Sequence, residues 1–213
     1  MLMSLSSRGR ADRSRSENSA LPAPEFTVHG LDDPHRGEVE NFIQAIYARH
    51  YDAQVLHFTP VLVGLREHGE LLSAAGYRGA ADESLFLERY LPAPVDTLLA
   101  RHMGAPLARR RIAEVGHLAA RRSGEGRRLI RLLAPRLAAE GYDWVVGTVT
   151  QELRSMLLRL GIAPVILGVA DPAALGDDEA ALWGSYYEHQ PLVVAGQLRR
   201  YVGHRSGQSG RDE

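Results

Sequence analysis

The stretch Ile112-Ala113-Glu114-Val115-Gly116-His117-Leu118-Ala119-Ala120-Arg121-Arg122-Ser123-Gly124-Glu125-Gly126-Arg127 decides the fold, because an apolar, strand-like run passes through a glycine-bearing turn into an arginine-rich helical pattern. Such a turn points several main-chain N–H groups outward, and the positive end of the helix dipole adds to their pull on an anion. Gly124 and Gly126 let a phosphate approach the backbone without meeting a Cβ. We therefore read Arg121, Arg122, Ser123, Gly124, Glu125, Gly126 and Arg127 as a pyrophosphate cradle, with Gly116 and Leu118 on the strand leading into it. The competing reading is a plain glycine turn at a helix start.

Working outward, strand-like and helix-like patterns alternate. Downstream, Arg127 to Glu140 places Leu129, Leu133 and Leu137 on one helical face, with Gly141 as the stop and Pro135 predicting a kink. Trp144 to Val149 reads as a buried strand, Gln151 to Leu160 as a helix stopped by Gly161, and Pro164 to Ala170 as a further strand. Upstream, Val61 to Leu65 and Ser73 to Arg78 flank the turn Glu67-His68-Gly69-Glu70, a hairpin pattern. Pro94 to His102 and Glu38 to Tyr51 are helical, the latter with Val39, Phe42, Ile43, Ile46 and Tyr47 on one face.

A chain of 213 residues that is 45% hydrophobic supports one α/β domain, predicted over residues 25–202. The serine- and arginine-rich residues 1–24 read as a disordered tail, with an organellar transit peptide as the alternative, and residues 203–213 read as a second loose tail. Net charge is −1, so no global field favours nucleic acid. All 25 basic side chains are arginine and there is no cysteine, which excludes lysine Schiff bases, thiol nucleophiles and disulfides. No apolar run is long enough for a membrane span, and no secretory signal opens the chain, so a cytoplasmic location is expected.

Glu114 stands in an apolar strand, where a carboxylate is either paired with an arginine or put to use with a raised pKa. His117 lies three residues on and falls on the opposite face by strand alternation, unless a bulge at Gly116 resets it; a satisfied core histidine is the preferred reading. Trp183-Gly184-Ser185-Tyr186-Tyr187 is either core packing or a pocket wall in which Tyr186 or Tyr187 donates a proton. Leu85 to Leu91 resembles a hydrophobic clamp. No histidine spacing fits a metal site, so none is assigned, and the G-x-S-x-G, Walker and early G-x-G-x-x-G motifs are missing.

Arg121, Gly124 and Gly126 match the Arg/Gln-x-x-Gly-x-Gly/Ala acyl-CoA pyrophosphate motif of the GCN5-related N-acetyltransferases (GNAT). Phe42 to Tyr51 with its Tyr47-Ala48-Arg49, Leu85 to Leu91, Ile112 to Ala119, Leu158 to Gly161 and Trp183 to Tyr187 resemble the thermostable hemolysin family more closely. The resemblance implies a single GNAT-like domain with a mixed, mostly antiparallel sheet flanked by helices and splayed at strands 4 and 5, where an acyl-pantetheine arm lies. It also implies a glutamate on the corresponding strand. The superfamily often carries a tyrosine in the helix after the fifth strand, and Glu152 to Leu158 has none, which leaves the acid for the leaving thiolate unassigned.

These readings converge on transfer of an acyl group from a coenzyme A or acyl-carrier-protein thioester to a small amine acceptor, without metal or nucleic acid. Glu114 would be the base, a main-chain N–H beside Gly116 or His117 would polarise the carbonyl, and Tyr186 or Tyr187 would be the weak candidate for the acid. A membrane-active cytolysin and a non-catalytic acyl-CoA-binding module are the alternatives. The sequence leaves the oligomeric state open, a homodimer included.

Overall fold

The computed structural model describes residues 24–199 and 201, so the predicted tails fall outside the described residues except for Pro24. Seven strands form one mixed sheet: β1 (Glu25–His29), β2 (Val61–Glu67), β3 (Glu70–Gly79), β4 (Ile112–Ala120), β5 (Trp144–Val149), β6 (Val165–Val169) and β7 (Leu192–Gln197), in the order β1-β2-β3-β4-β5-β7-β6. Every neighbouring pair is antiparallel except β4 and β5. Among the described residues, the α-helices are α1 (Arg36–Tyr51), α2 (Val95–Met103), α3 (Glu125–Ala139), α4 (Gln151–Arg159) and the short α5 (Asp177–Ala181). This is the expected α/β architecture.

The β2–β3 hairpin closes through His68 and Gly69, both at positive φ (52° and 81°), the backbone shape of a tight two-residue turn. Buried Val39, Ile43 and Tyr47 of α1 recur every four residues and press that helix on one sheet face with Leu62, Ala74 and Ala119. The same face carries α2, packed through Val95 and Leu99 on Ile112, Trp144 and Val146. Leu129, Leu133 and Leu137 hold α3 on the opposite face against Val63, Ala75 and Ala113. That burial keeps α3 continuous across Pro135, which lacks the N–H for one ladder bond.

The decisive feature is how little β4 and β5 pair. Their ladder is Ile112↔Trp144, Ala113↔Val145 and Glu114↔Val146, and it stops there. The rest of β4, from Val115 to Ala120, has no strand partner on that side, so its main-chain groups there border a cleft. Gly147 follows the last pair, and a Cβ on it would stand 2.6 Å from the Val115 carbonyl oxygen. Glycine thus permits the final close approach before the strands diverge.

Candidate functional site at the β4–β5 splay

A bulge in β4 brings the site together. Ala74 pairs with Ala119 and Gly76 with Gly116, so three steps along β4 are matched by two along β3. The extra residue is absorbed at His117, whose φ is +55°, a left-handed value uncommon outside glycine though adopted more often by histidine, asparagine and aspartate than by other side chains. The two faces record the reset. Leu118 joins the α3 cluster and Ala119 the α1 cluster, the reverse of simple alternation from Ile112 and Ala113. His117 therefore shares a face with Glu114, and the left-handed residue is His117 rather than Gly116.

Two cavities meet at this bulge. One, of ≈ 470 Å³, lies on the α1 and α2 side and is lined by Arg78, Phe86, Tyr90, Glu114, His117, Trp183 and Tyr187, among others. The second, of ≈ 450 Å³, runs along the unpaired edge of β4 between α3, β5 and α4. Tyr47, Val115, Gly116, His117, Thr148 and Tyr186 border both. No residue of α4 is fully buried, and its Leu153, Met156 and Leu157 present apolar surface to the second cavity. A helix with an unfilled apolar face over a slot is a surface suited to a flexible, largely apolar arm.

Glu114 is buried and committed. Its Oε1 accepts from the Leu87 N–H at 2.9 Å, its Oε2 accepts from the Phe86 N–H at 3.1 Å, and the Arg78 Nε stands 3.2 Å from Oε2. Arg78 faces it across the β3–β4 ladder and also donates from Nη1 to Glu83 at 3.0 Å. Burial pushes the Glu114 carboxyl above its usual range, opposed by those N–H donors and the guanidinium. The predicted clamp, Leu85 to Leu91, is a 3₁₀ turn over Phe86–Tyr90 docked on this carboxylate. Glu88 fixes its far side by accepting from Leu85 and Val95 N–H groups and pairing with Arg109 at 2.6 Å.

His117 is not the satisfied core histidine expected. Its Nδ1 is buried and has no hydrogen-bond partner among the described residues. Burial pulls the ring down from 6.5 to about 4, the Arg78 charge adds to that, and a hydrogen bond to the His57 main chain partly offsets it. Phe58 stands beside the ring, centroids 5.5 Å apart.

The tyrosines differ. Tyr186 is buried, donates weakly to the Thr148 carbonyl at 3.4 Å, and is held well above its ordinary pKa by burial. The Tyr187 hydroxyl is 2.7 Å from that of Tyr90, and burial raises both, Tyr90 further because of this bond. Arg78 and Tyr90, which composition and spacing did not single out, are thus the residues that hold Glu114 and Tyr187.

At the cradle, Gly124 caps α3 with φ +98°, and Arg122, Ser123, Gly124 and Gly126 border the second cavity together with Gly116 and Leu118. Gly126 is buried, and a Cβ there would lie 3.6 Å from that of Ala120, so it also serves helix–strand packing. Arg121, Glu125 and Arg127 are not on that lining. Arg121 pairs with Glu70 at 2.9 Å and lies over the Phe42 ring, and Glu125 folds back to accept the Arg122 N–H at 2.8 Å. The Arg127 guanidinium lies over Gly124, 3.5 Å from where a Cβ would stand.

The sequence model of the family described as thermostable hemolysin matches residues 29–202. No curated protein matches the sequence. Among solved structures, FeeM, an N-acyl amino acid synthase from uncultured soil microbes, is similar at 13% identity over 85% of this chain and 95% of its own, with a TM-score of 0.58. BjaI, a CoA-dependent acyl-homoserine lactone synthase solved with SAM and isopentyl-CoA, is similar at 11% identity over 90% of this chain and 92% of its own, with a TM-score of 0.56. TofI, solved with an inhibitor and MTA, is similar at 14% identity over 82% of this chain and 91% of its own, with a TM-score of 0.54.

Proposed function

Taking as premise that this chain belongs to the thermostable hemolysin family and has the fold of these synthases, we propose that it transfers an acyl group from a pantetheine thioester to an amine. The observation that carries this reading is the pair of cavities joined at the β4 bulge, one leading to the glycine loop and the other walled by aromatic residues. Acyl transfer needs two reactants held in line at one carbonyl, and a splay with a separate approach from each side supplies that arrangement.

In this reading the donor's phosphates rest on the N–H groups of Ser123, Gly124 and Gly126 at the start of α3, with the Arg122 and Arg127 charges beside them. Its arm follows the slot under Leu153, Met156 and Leu157 to Gly116. The unpaired edge of β4 offers N–H groups to the carbonyl oxygen as charge builds on it. The amine enters between Phe86, Trp183 and Tyr187. Coenzyme A and an acyl carrier protein share the phosphopantetheine that this slot would take, and the likeness to FeeM, an N-acyl amino acid synthase, favours nitrogen as the accepting atom.

Calorimetric titration of coenzyme A into wild type and into Arg122→Gln/Arg127→Gln tests the donor half. Neither arginine forms an ion pair among the described residues, so the fold should be unaffected. Each lost charge-assisted bond should weaken binding by roughly tenfold. Equal affinity in the two proteins would remove the cradle from the reading.

A further inference from the structure

We propose that His117, and not Glu114, is the group that takes the proton from the attacking amine and then delivers it to the departing sulfur, an assignment that rests on the acyl-transfer reading above. The two candidates share a face and a cavity but differ in what is left for a substrate. Both oxygens of Glu114 are engaged, one by Leu87 and the other by Phe86 and Arg78. Glu114 borders only the aromatic cavity, whereas His117 borders both. The reacting carbonyl must lie where donor and acceptor meet, and that is at His117.

The ring is also poised. Nδ1 is buried with no partner, a state that costs free energy unless something completes it. The His57 main chain lies beside the ring and is a polar neighbour that favours its charged form. A histidine held in the left-handed region is strained, and such strain persists where surrounding structure fixes it. Here the β3–β4 register and the Phe58 ring do so.

The chemistry balances without another reactant. The amine arrives neutral, its nitrogen lone pair forms the C–N bond, and the carbonyl π pair moves to oxygen. The imidazole then takes the proton from the new, positively charged nitrogen. Collapse breaks the C–S bond, the pair leaves on sulfur, and the imidazolium returns the proton to the thiolate. The products are an amide and a free thiol, and His117 ends as it began. This supplies the acid that the α4 sequence lacks.

The charged and titratable groups around the ring are Arg78 from β3, Arg36 and Tyr47 from α1, His57 from the segment before β2, and Glu114 on its own strand, with Arg89, Tyr90, Glu179, Tyr186 and Tyr187 on the cavity lining. Burial first, and then the charges of Arg78 and Arg36, keep the imidazole neutral. The rate should therefore rise with pH as more amine is deprotonated, with no limb from His117 between about pH 5 and 8.

The test uses octanoyl-coenzyme A as donor and 2-phenylethylamine as acceptor, with thiol release as the readout, which the protein's lack of cysteine keeps free of background. His117→Asn preserves tolerance of the left-handed backbone but has no basic nitrogen. Donor affinity and melting temperature should match wild type while turnover falls by roughly 10²–10⁴-fold. His117→Gly should be equally slow and be partly restored by added imidazole, a rescue that a structural role would not produce. Normal donor binding with unimpaired turnover in His117→Asn overturns the assignment. Wild type that fails to bind octanoyl-coenzyme A overturns instead the acyl-transfer reading beneath it.

Discussion

Glu114 is occupied by its own protein. Two N–H donors and the Arg78 guanidinium converge on it, the N–H groups being those that start the 3₁₀ turn at Phe86, so its first effect is to seat that turn on β4. Glutamine has the right shape but must present its NH₂ to one of those donors, which leaves a buried N–H unmet at a cost of about 1–3 kcal/mol. Glu114→Gln is expected to melt lower than wild type while turnover per folded molecule is largely retained. Because burial raises the carboxyl above its ordinary 4.5, the native state holds that proton more tightly than the unfolded chain does. Its contribution is complete below 4.5 and declines as pH rises through the raised folded value, so the gap to Glu114→Gln should narrow over that window. Thermal melts at several pH values, paired with thiol-release rates, decide the matter. An unshifted melting temperature with lost turnover would return the base to Glu114.

At the level of elements, the cleft depends on one small residue. Gly147→Ala would push a methyl into the Val115 carbonyl, and main chain on both sides leaves little room to yield. We expect a loss of about 1–3 kcal/mol together with weaker coenzyme A binding. Gly116→Ala is the matched control, since a Cβ there meets nothing within 4 Å. Chemical denaturation of the two variants should separate them, and equal stability would mean that the strands diverge without help from Gly147. Much of this architecture was legible in the sequence. The hairpin, α1 to α4 and β4 to β6 all follow from apolar period, proline at helix starts and glycine stops, as at Pro94 and Gly104 around α2. Two strands were not. β1, Glu25–His29, follows a tail of similar polarity, and β7, Leu192–Gln197, is a short run whose insertion between β5 and β6 is set by tertiary pairing. The bulge could only be posed as a condition at Gly116, because its place depends on which β3 residues pair with β4. The bonds from Arg78 to Glu114 and Tyr90 to Tyr187 were hidden for the same reason.

Taken whole, both faces of the sheet are covered by helices, with α1 and α2 on one and α3 on the other. Among the described residues no helix is long and apolar enough to cross a membrane. On that ground we expect purified protein alone to release no dye from phosphatidylcholine vesicles. Prompt leakage at submicromolar protein would favour direct lysis over acyl transfer. The three-pair ladder has a mechanical side as well. Every other junction in the sheet has four or more pairs, so the sheet divides into two plates, β1 to β4 and β5-β7-β6, joined by a short ladder and by the apolar cluster under α2 that spans it. A molecule lodged in the cleft touches both plates and acts as a rivet, and by mass action the joined form gains whatever binding free energy it supplies. On the acyl-transfer reading proposed above, the durability of the folded protein is thereby tied to the abundance of its own reactant, and the protein is most easily unzipped when there is nothing for it to do.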